Sequence, residues 1–276
     1  MPDPPGIIDA HQHAWDPALP WHEWPDASLP AINLAFLPEK LAPELTAAGV
    51  AGVVLVQSQP NDADTDWLLE LAGRAPAVRG VVGWIDVKAP GADARIAALV
   101  RHPKLCGVRP MLQDLPADWI LDPLAEDALR SMVAHDLAVD ALIRPAHLRA
   151  IATLADRHPE LRIIIDHAAK PDVAADVSPV WADDMARLAE RPNLFCKVSG
   201  LVTQAGPTWS RDQLRPIVDR LLGLFGRDRL LWGSDWPVLL LATSYGAWLA
   251  AAQALVPHEA HAAVFGGTAT RVYRLT

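Results

Sequence analysis

Four side chains far apart in the chain have the residue types of hydrolytic chemistry: His11, His13, His167 and Asp235. The first two belong to Ile7-Ile8-Asp9-Ala10-His11-Gln12-His13, where apolar β-branched residues lead into a His-x-His pair. Strand side chains alternate, so Asp9, His11 and His13 are expected on one face. Two imidazoles at a strand's end can seat a divalent ion such as zinc, or form a surface or hydrogen-bonded pair. His167 closes Ile163-Ile164-Ile165-Asp166-His167 and can act as a third ligand, as an electrophile toward a carbonyl oxygen, or structurally. Asp166, facing the other way, is expected to tie down the adjacent loop. Asp235 ends Leu231-Trp232-Gly233-Ser234-Asp235 on the same face as Gly233, whose missing side chain leaves room beneath it. A carboxylate there can bind a metal and accept the proton of an attacking water. The alternative is a helix cap, although the next helix is expected to start near Tyr245.

Groups so distant in sequence need elements that bring their ends together. Eight apolar runs read as buried parallel strands: 7–13, 52–57, 78–87, 105–111, 138–144, 162–167, 194–200 and 230–235. Between them, 66–74, 92–101, 127–134, 146–157, 181–190 and 213–225 have apolar residues at helical spacing. The helix-to-strand joints are terse, whereas most strand-to-helix joints are long, as in a barrel whose site is built from the loops after the strands. An open doubly wound sheet usually has a Gly-rich turn after its first strand, and His-Gln-His stands there instead. The expected fold is a (β/α)8 TIM barrel, one domain over residues 1–276. The loop 14–36, stiffened by Pro17, Pro20, Pro25 and Pro30, reads as an ordered cover. Trp15, Trp21, Trp24, Trp84 and Trp236 fall near strand ends, where they could wall a pocket or pack in the core. Residues 259–273 read as a closing helix interrupted at Gly266-Gly267, with Thr268 capping its last turn.

A formal charge of −9 and the lack of a Lys/Arg cluster argue against nucleic acid as a partner. Cys106 and Cys196 each sit in an apolar run, as buried free thiols do. The start has no basic segment leading into an apolar stretch, and no run reaches the roughly 18 apolar residues of a membrane span. A cytoplasmic protein with no membrane partner is expected.

Further pieces join the set: Val56-Gln57, Gly83-Trp84-Ile85-Asp86, Gly107-Val108-Arg109, Asp166-His167 with Lys170-Pro171, Lys197-Val198-Ser199-Gly200-Leu201 and Trp232-Gly233-Ser234-Asp235-Trp236-Pro237. With these the chain resembles the amidohydrolase superfamily over nearly its whole length. The branch is that of the metal-optional lactonases, which includes fuconolactonase- and rhamnonolactonase-like sugar-acid lactonases and pyrone dicarboxylate hydrolases. The resemblance implies a (β/α)8 barrel, lactone hydrolysis, a centre of His11, His13, His167 and Asp235, and Arg109 near the substrate. It implies one divalent metal, zinc by expectation, or none. Asp235 and His167 are the expected catalytic residues. Arg109 offers a forked donor or a structural ion pair, Gln57 and Lys197 are candidate hydroxyl partners, and Trp84 and Trp236 are candidate ring platforms. Relatives commonly have Gly where Ala169 precedes Lys170, and Gly-Asn-Ala where the tail here reads Gly-Thr-Ala, departures that bear on loop shape. Strand five offers no His, and strand four has Arg109 where binuclear members use a Lys or Glu, so a two-metal centre is not expected. The alternatives are a metal-dependent decarboxylase of the same superfamily and a sugar-acid-binding barrel without catalysis.

Overall fold

The computed structural model describes residues 6–173 and 177–276. Eight parallel strands pair in chain order: β1 (Ile7–Gln12), β2 (Val50–Val56), β3 (Val78–Gly83), β4 (Leu105–Val108), β5 (Ala138–Ala141), β6 (Ile163–Ile165), β7 (Leu194–Val198) and β8 (Leu230–Trp232). The ring closes where Asp235 N–H donates to His11 O at 2.8 Å and His13 N–H donates to Trp236 O at 2.7 Å. Helices α1 (Pro38–Ala47), α2 (Asp62–Arg74), α3 (Ala92–Leu99), α4 (Glu126–Ala134), α5 (Leu148–Arg157), α6 (Pro179–Ala189), α7 (Leu201–Ala205), α8 (Arg211–Phe225), α9 (Tyr245–Leu255) and α10 (Thr268–Val272) lie between and after the strands. The architecture is the expected (β/α)8 barrel.

Local chemistry explains where the elements begin. Asn61 accepts from Asp64 N–H and starts α2 a turn earlier than apolar spacing implies. Ser210 and Gln213 form a capping box on α8, and Ser244 caps α9. Most strands end before their apolar runs do. β6 stops at Ile165 because His167, Ala168, Ala169 and Lys170 all take left-handed backbone angles, with φ between 52° and 61°. For L-residues such a turn costs roughly 1–2 kcal/mol per residue, so the surrounding packing must hold it. Asp235 is likewise left-handed, at φ 61°.

The barrel interior is filled by Ile8, Ala10, Val54, Val56, Ile164, Phe195 and Leu231, and Val272 and Tyr273 join them from the C-terminal segment. A register shift between Asp9 and Gln12 breaks the alternation of β1. Asp9 therefore does not share a face with the histidines: it accepts from Ser234 N–H and from the Tyr245 hydroxyl of α9. The closing segment also differs from expectation. A π-turn over Ala263–Gly267 runs directly into α10, and Thr268 has helical angles and caps nothing.

Candidate active site

Strand ends deliver the four residues to one point. His13 Nε2 lies 3.3 Å from Asp235 Oδ1, His11 Nε2 3.8 Å and His167 Nε2 3.9 Å. Two glycines make the room. A Cβ on Gly233 would stand 2.6 Å from His11 Cβ, and one on Gly200, itself at φ 65°, would stand 2.7 Å from His167 Cγ. Both histidines therefore sit against bare backbone.

Behind the rings are the groups that aim them. His13 Nδ1 lies 2.8 Å from Val56 O, which fixes the ring with Nε2 turned toward Asp235. His167 Nδ1 is 2.8 Å from the Ser199 hydroxyl. His11 Nδ1 accepts from Lys197 Nζ at 2.9 Å. Lys197 also meets Asp140 Oδ2 at 2.5 Å and Asp166 Oδ1 at 2.9 Å, and all three side chains are fully buried. Asp166 Oδ2 faces Arg109 Nη1 at 3.3 Å.

Burial raises the Asp235 carboxyl, but the neighbouring His167, the His13 hydrogen bond and His11 outweigh it and hold the group well below the usual carboxylate range. Asp235 is an anion at any working pH. Burial lowers His167 to about 4 against the pull of Asp235 and Asp166. It also lowers His11, helped by the Lys197 charge. Burial works against the Lys197 ammonium as well, yet Asp140 and Asp166 overcome it and raise the group above its ordinary value. The centre thus combines a carboxylate, neutral imidazoles and a cation locked beneath them.

This donor set suits one divalent ion. Imidazole nitrogens and a carboxylate oxygen are zinc's ordinary ligands, and His11, His13 and Asp235 offer them within one cluster. A second cluster, His11, Asp166 and His167, does not suit one. Each Asp166 oxygen already faces a cation, Lys197 on one side and Arg109 on the other.

The centre opens into a cavity of about 500 Å³ bordered by His13, Arg109, His167 and Asp235, with Trp24, Gln113 and Lys170 on its walls. The loop of residues 14–36 is tied down at two places. Trp15 and Phe36 exchange backbone hydrogen bonds at its neck, and the Gln59 side chain pins Glu23 and Trp24. Lys170 Nζ donates to Gln113 Oε1 at 2.5 Å, and burial lowers its pKa.

Not every candidate reaches this cavity. Arg109 does, although its fork is turned inward to Gln57 O and Asp166. Gln57 is buried behind it, donating to Arg109 O at 3.0 Å. Lys197 does not meet the cavity; as an inward-facing strand residue it is fully buried under His11. Trp236 is buried against Phe36, and Trp84 does not border the cavity, its backbone being held by the Thr65 hydroxyl. Asp166 was expected to tie down a loop. It points into the barrel instead, because it continues the alternation of Ile164, while the left-handed turn swings His167 round to the same side. Ser199 and Lys170 stood in the sequence motifs without a role of their own, and Asp140 and Gln113 were not among the candidates. Asp140 had a signal, an acid inside the apolar run Ala138-Val139-Asp140-Ala141.

The chain resembles known proteins over nearly its whole length. The family model described as Amidohydrolase matches residues 8–275. The chain is 49% identical over 276 residues to an L-fucono-1,5-lactonase of Burkholderia ambifaria, covering 97% of this chain and 95% of that one. It is 34% identical to an L-fucono-1,5-lactonase of Burkholderia multivorans, covering 97% and 96%. A crystal structure of an amidohydrolase from Burkholderia multivorans with bound zinc superposes with a TM-score of 0.90 at 33% identity, covering 98% of this chain and 99% of that one.

Proposed function

The chain belongs to the amidohydrolase family, and from that premise we propose that it hydrolyses a sugar lactone, an aldono-1,5-lactone of the L-fucono type, to the open sugar acid. The observation that carries this reading is the convergence of three imidazoles on the Asp235 carboxylate at the floor of the cavity. The likeness to two L-fucono-1,5-lactonases supports the substrate class.

Asp235, held anionic, takes a proton from a water on its cavity side. The hydroxide so formed attacks the lactone carbonyl and gives a tetrahedral oxyanion. His167 and Arg109 border the same space and stabilise that charge, the largest single term in most acyl transfers. The ring C–O bond then breaks, and Asp235 returns the proton to the departing alkoxide. Trp24 offers a face to the sugar ring, while Lys170 and Gln113 offer polar groups to its hydroxyls. His11, His13 and Asp235 would hold one zinc ion, which when bound would make the water more acidic and polarise the carbonyl. The zinc bound in the Burkholderia multivorans amidohydrolase structure supports zinc as the choice of ion. The same reading puts the enzyme in carbohydrate metabolism and in the cytoplasm, where the buried thiols of Cys106 and Cys196 would stay reduced.

The test is a pH-indicator assay over a panel of aldonolactones, using chelator-treated and zinc-reconstituted protein. Stoichiometric acid release from L-fucono-1,5-lactone supports the reading. A protein that binds lactones without consuming them, or that releases carbon dioxide from an aromatic acid instead, contradicts it.

A further inference from the structure

A line of buried polar groups runs from the closed floor of the barrel up to the site. Tyr273 follows α10 and is 3% exposed; its hydroxyl meets both oxygens of Asp140 at 2.8 Å. Asp140 accepts from Lys197, whose ammonium also donates to His11 Nδ1 at 2.9 Å and forms an ion pair with Asp166 Oδ1 at 2.9 Å. Asp140, Asp166, Lys197 and His11 are wholly buried among Val82, Cys106, Ala138 and Ile164. Apolar residues of similar volume would commonly stabilise such an interior as well or better, because desolvating ions is costly. What the ions add is direction. An ammonium has three donors; one is given to Asp140 while the charge is held against Asp166, and a further donor is aimed at one ring nitrogen. That aim depends on Asp140 staying in place, and the Tyr273 hydroxyl holds Asp140 from below.

We propose that Tyr273 is a positioning residue for the reaction, fixing the His11 ring through Asp140 and Lys197 from the opposite end of the barrel. Only the kinetic half of its test rests on the lactonase reading. Tyr273→Phe keeps the apolar plug and removes the hydroxyl. Its kcat is expected to fall ~tenfold with KM changed less than about twofold, as for loss of an outer partner of a site ligand. Its thermal midpoint falls too, since the buried Asp140 carboxylate loses a hydrogen bond, so the control is a variant that loses stability elsewhere on the same floor. Val272→Ala, which thins the same floor without touching Asp140, lowers the midpoint and leaves kcat alone. Long-range 1H–15N spectra supply a signature independent of turnover: the His11 ring nitrogens shift in Tyr273→Phe and stay put in Val272→Ala. Native kcat in Tyr273→Phe, or unmoved His11 signals, overturns the inference. A native chain inactive on every lactone would sink the lactonase reading instead, and the His11 signals alone would then decide this one.

Discussion

His13 Nε2 stands 3.3 Å from Asp235 Oδ1, so the first strand and the last meet through their functional side chains as well as through the backbone bonds that close the barrel. Shutting the cylinder and assembling the site are one event. Changes that loosen the β1–β8 seam should therefore reduce turnover before they unfold the protein.

Metal stoichiometry follows from which carboxylate is free. Asp235 faces three imidazoles, whereas both Asp166 oxygens face cations. Elemental analysis after dialysis against zinc should find one ion per chain, and His13→Asn should lose it. Two ions would mean that Lys197 or Arg109 yields its place.

Activity should stay level as pH falls from neutrality and decline only near 4, where His167 takes up a proton. The sign follows from the depressed value. Between 6.5 and about 4 the unfolded imidazole binds a proton that the folded one refuses, so falling pH withdraws stability across that window. Denaturant titrations at several pH values should show this slope lessened in His167→Gln. A kcat/KM profile that bends near 6.5 would place the imidazole in a more exposed setting than the fold gives it.

Gly200→Ala should be among the more damaging small changes. The new methyl would stand 2.7 Å from the His167 ring on a backbone at φ 65°. The left-handed angle alone costs about 1–2 kcal/mol, and moving His167 by about 1 Å can cost 10²-fold in rate. Thermal unfolding and kcat together check both effects.

Lys197→Met should cost about 3–5 kcal/mol, since it strands Asp140 and Asp166 as buried anions without their shared cation. Adding Asp140→Asn should recover part of that loss. Urea midpoints for the single and double variants measure it.

The barrel was legible in the sequence because buried parallel strands leave unbroken apolar runs and the terse joints mark the opposite face. His11, His13, His167 and Asp235 were legible because each ends such a run. What alternation could not give was Asp9 and Asp166. A register shift turned the first away from the site, and a left-handed turn let His167 join the second on the same side. The layer below the site was hidden for a different reason. Asp140, Lys197 and Tyr273 lie on separate strands and a terminal segment, and only barrel closure brings them within hydrogen-bonding distance.

The most direct measurement is the turnover of Asp235→Asn on L-fucono-1,5-lactone. Asparagine accepts the left-handed backbone of position 235 and keeps the shape, so the circular dichroism spectrum and thermal midpoint should match those of the native chain. The expected result is a kcat lower by about 10²–10⁴-fold, the range for losing a general base. A folded Asp235→Asn protein that turns over at the native rate would contradict the mechanism at its centre.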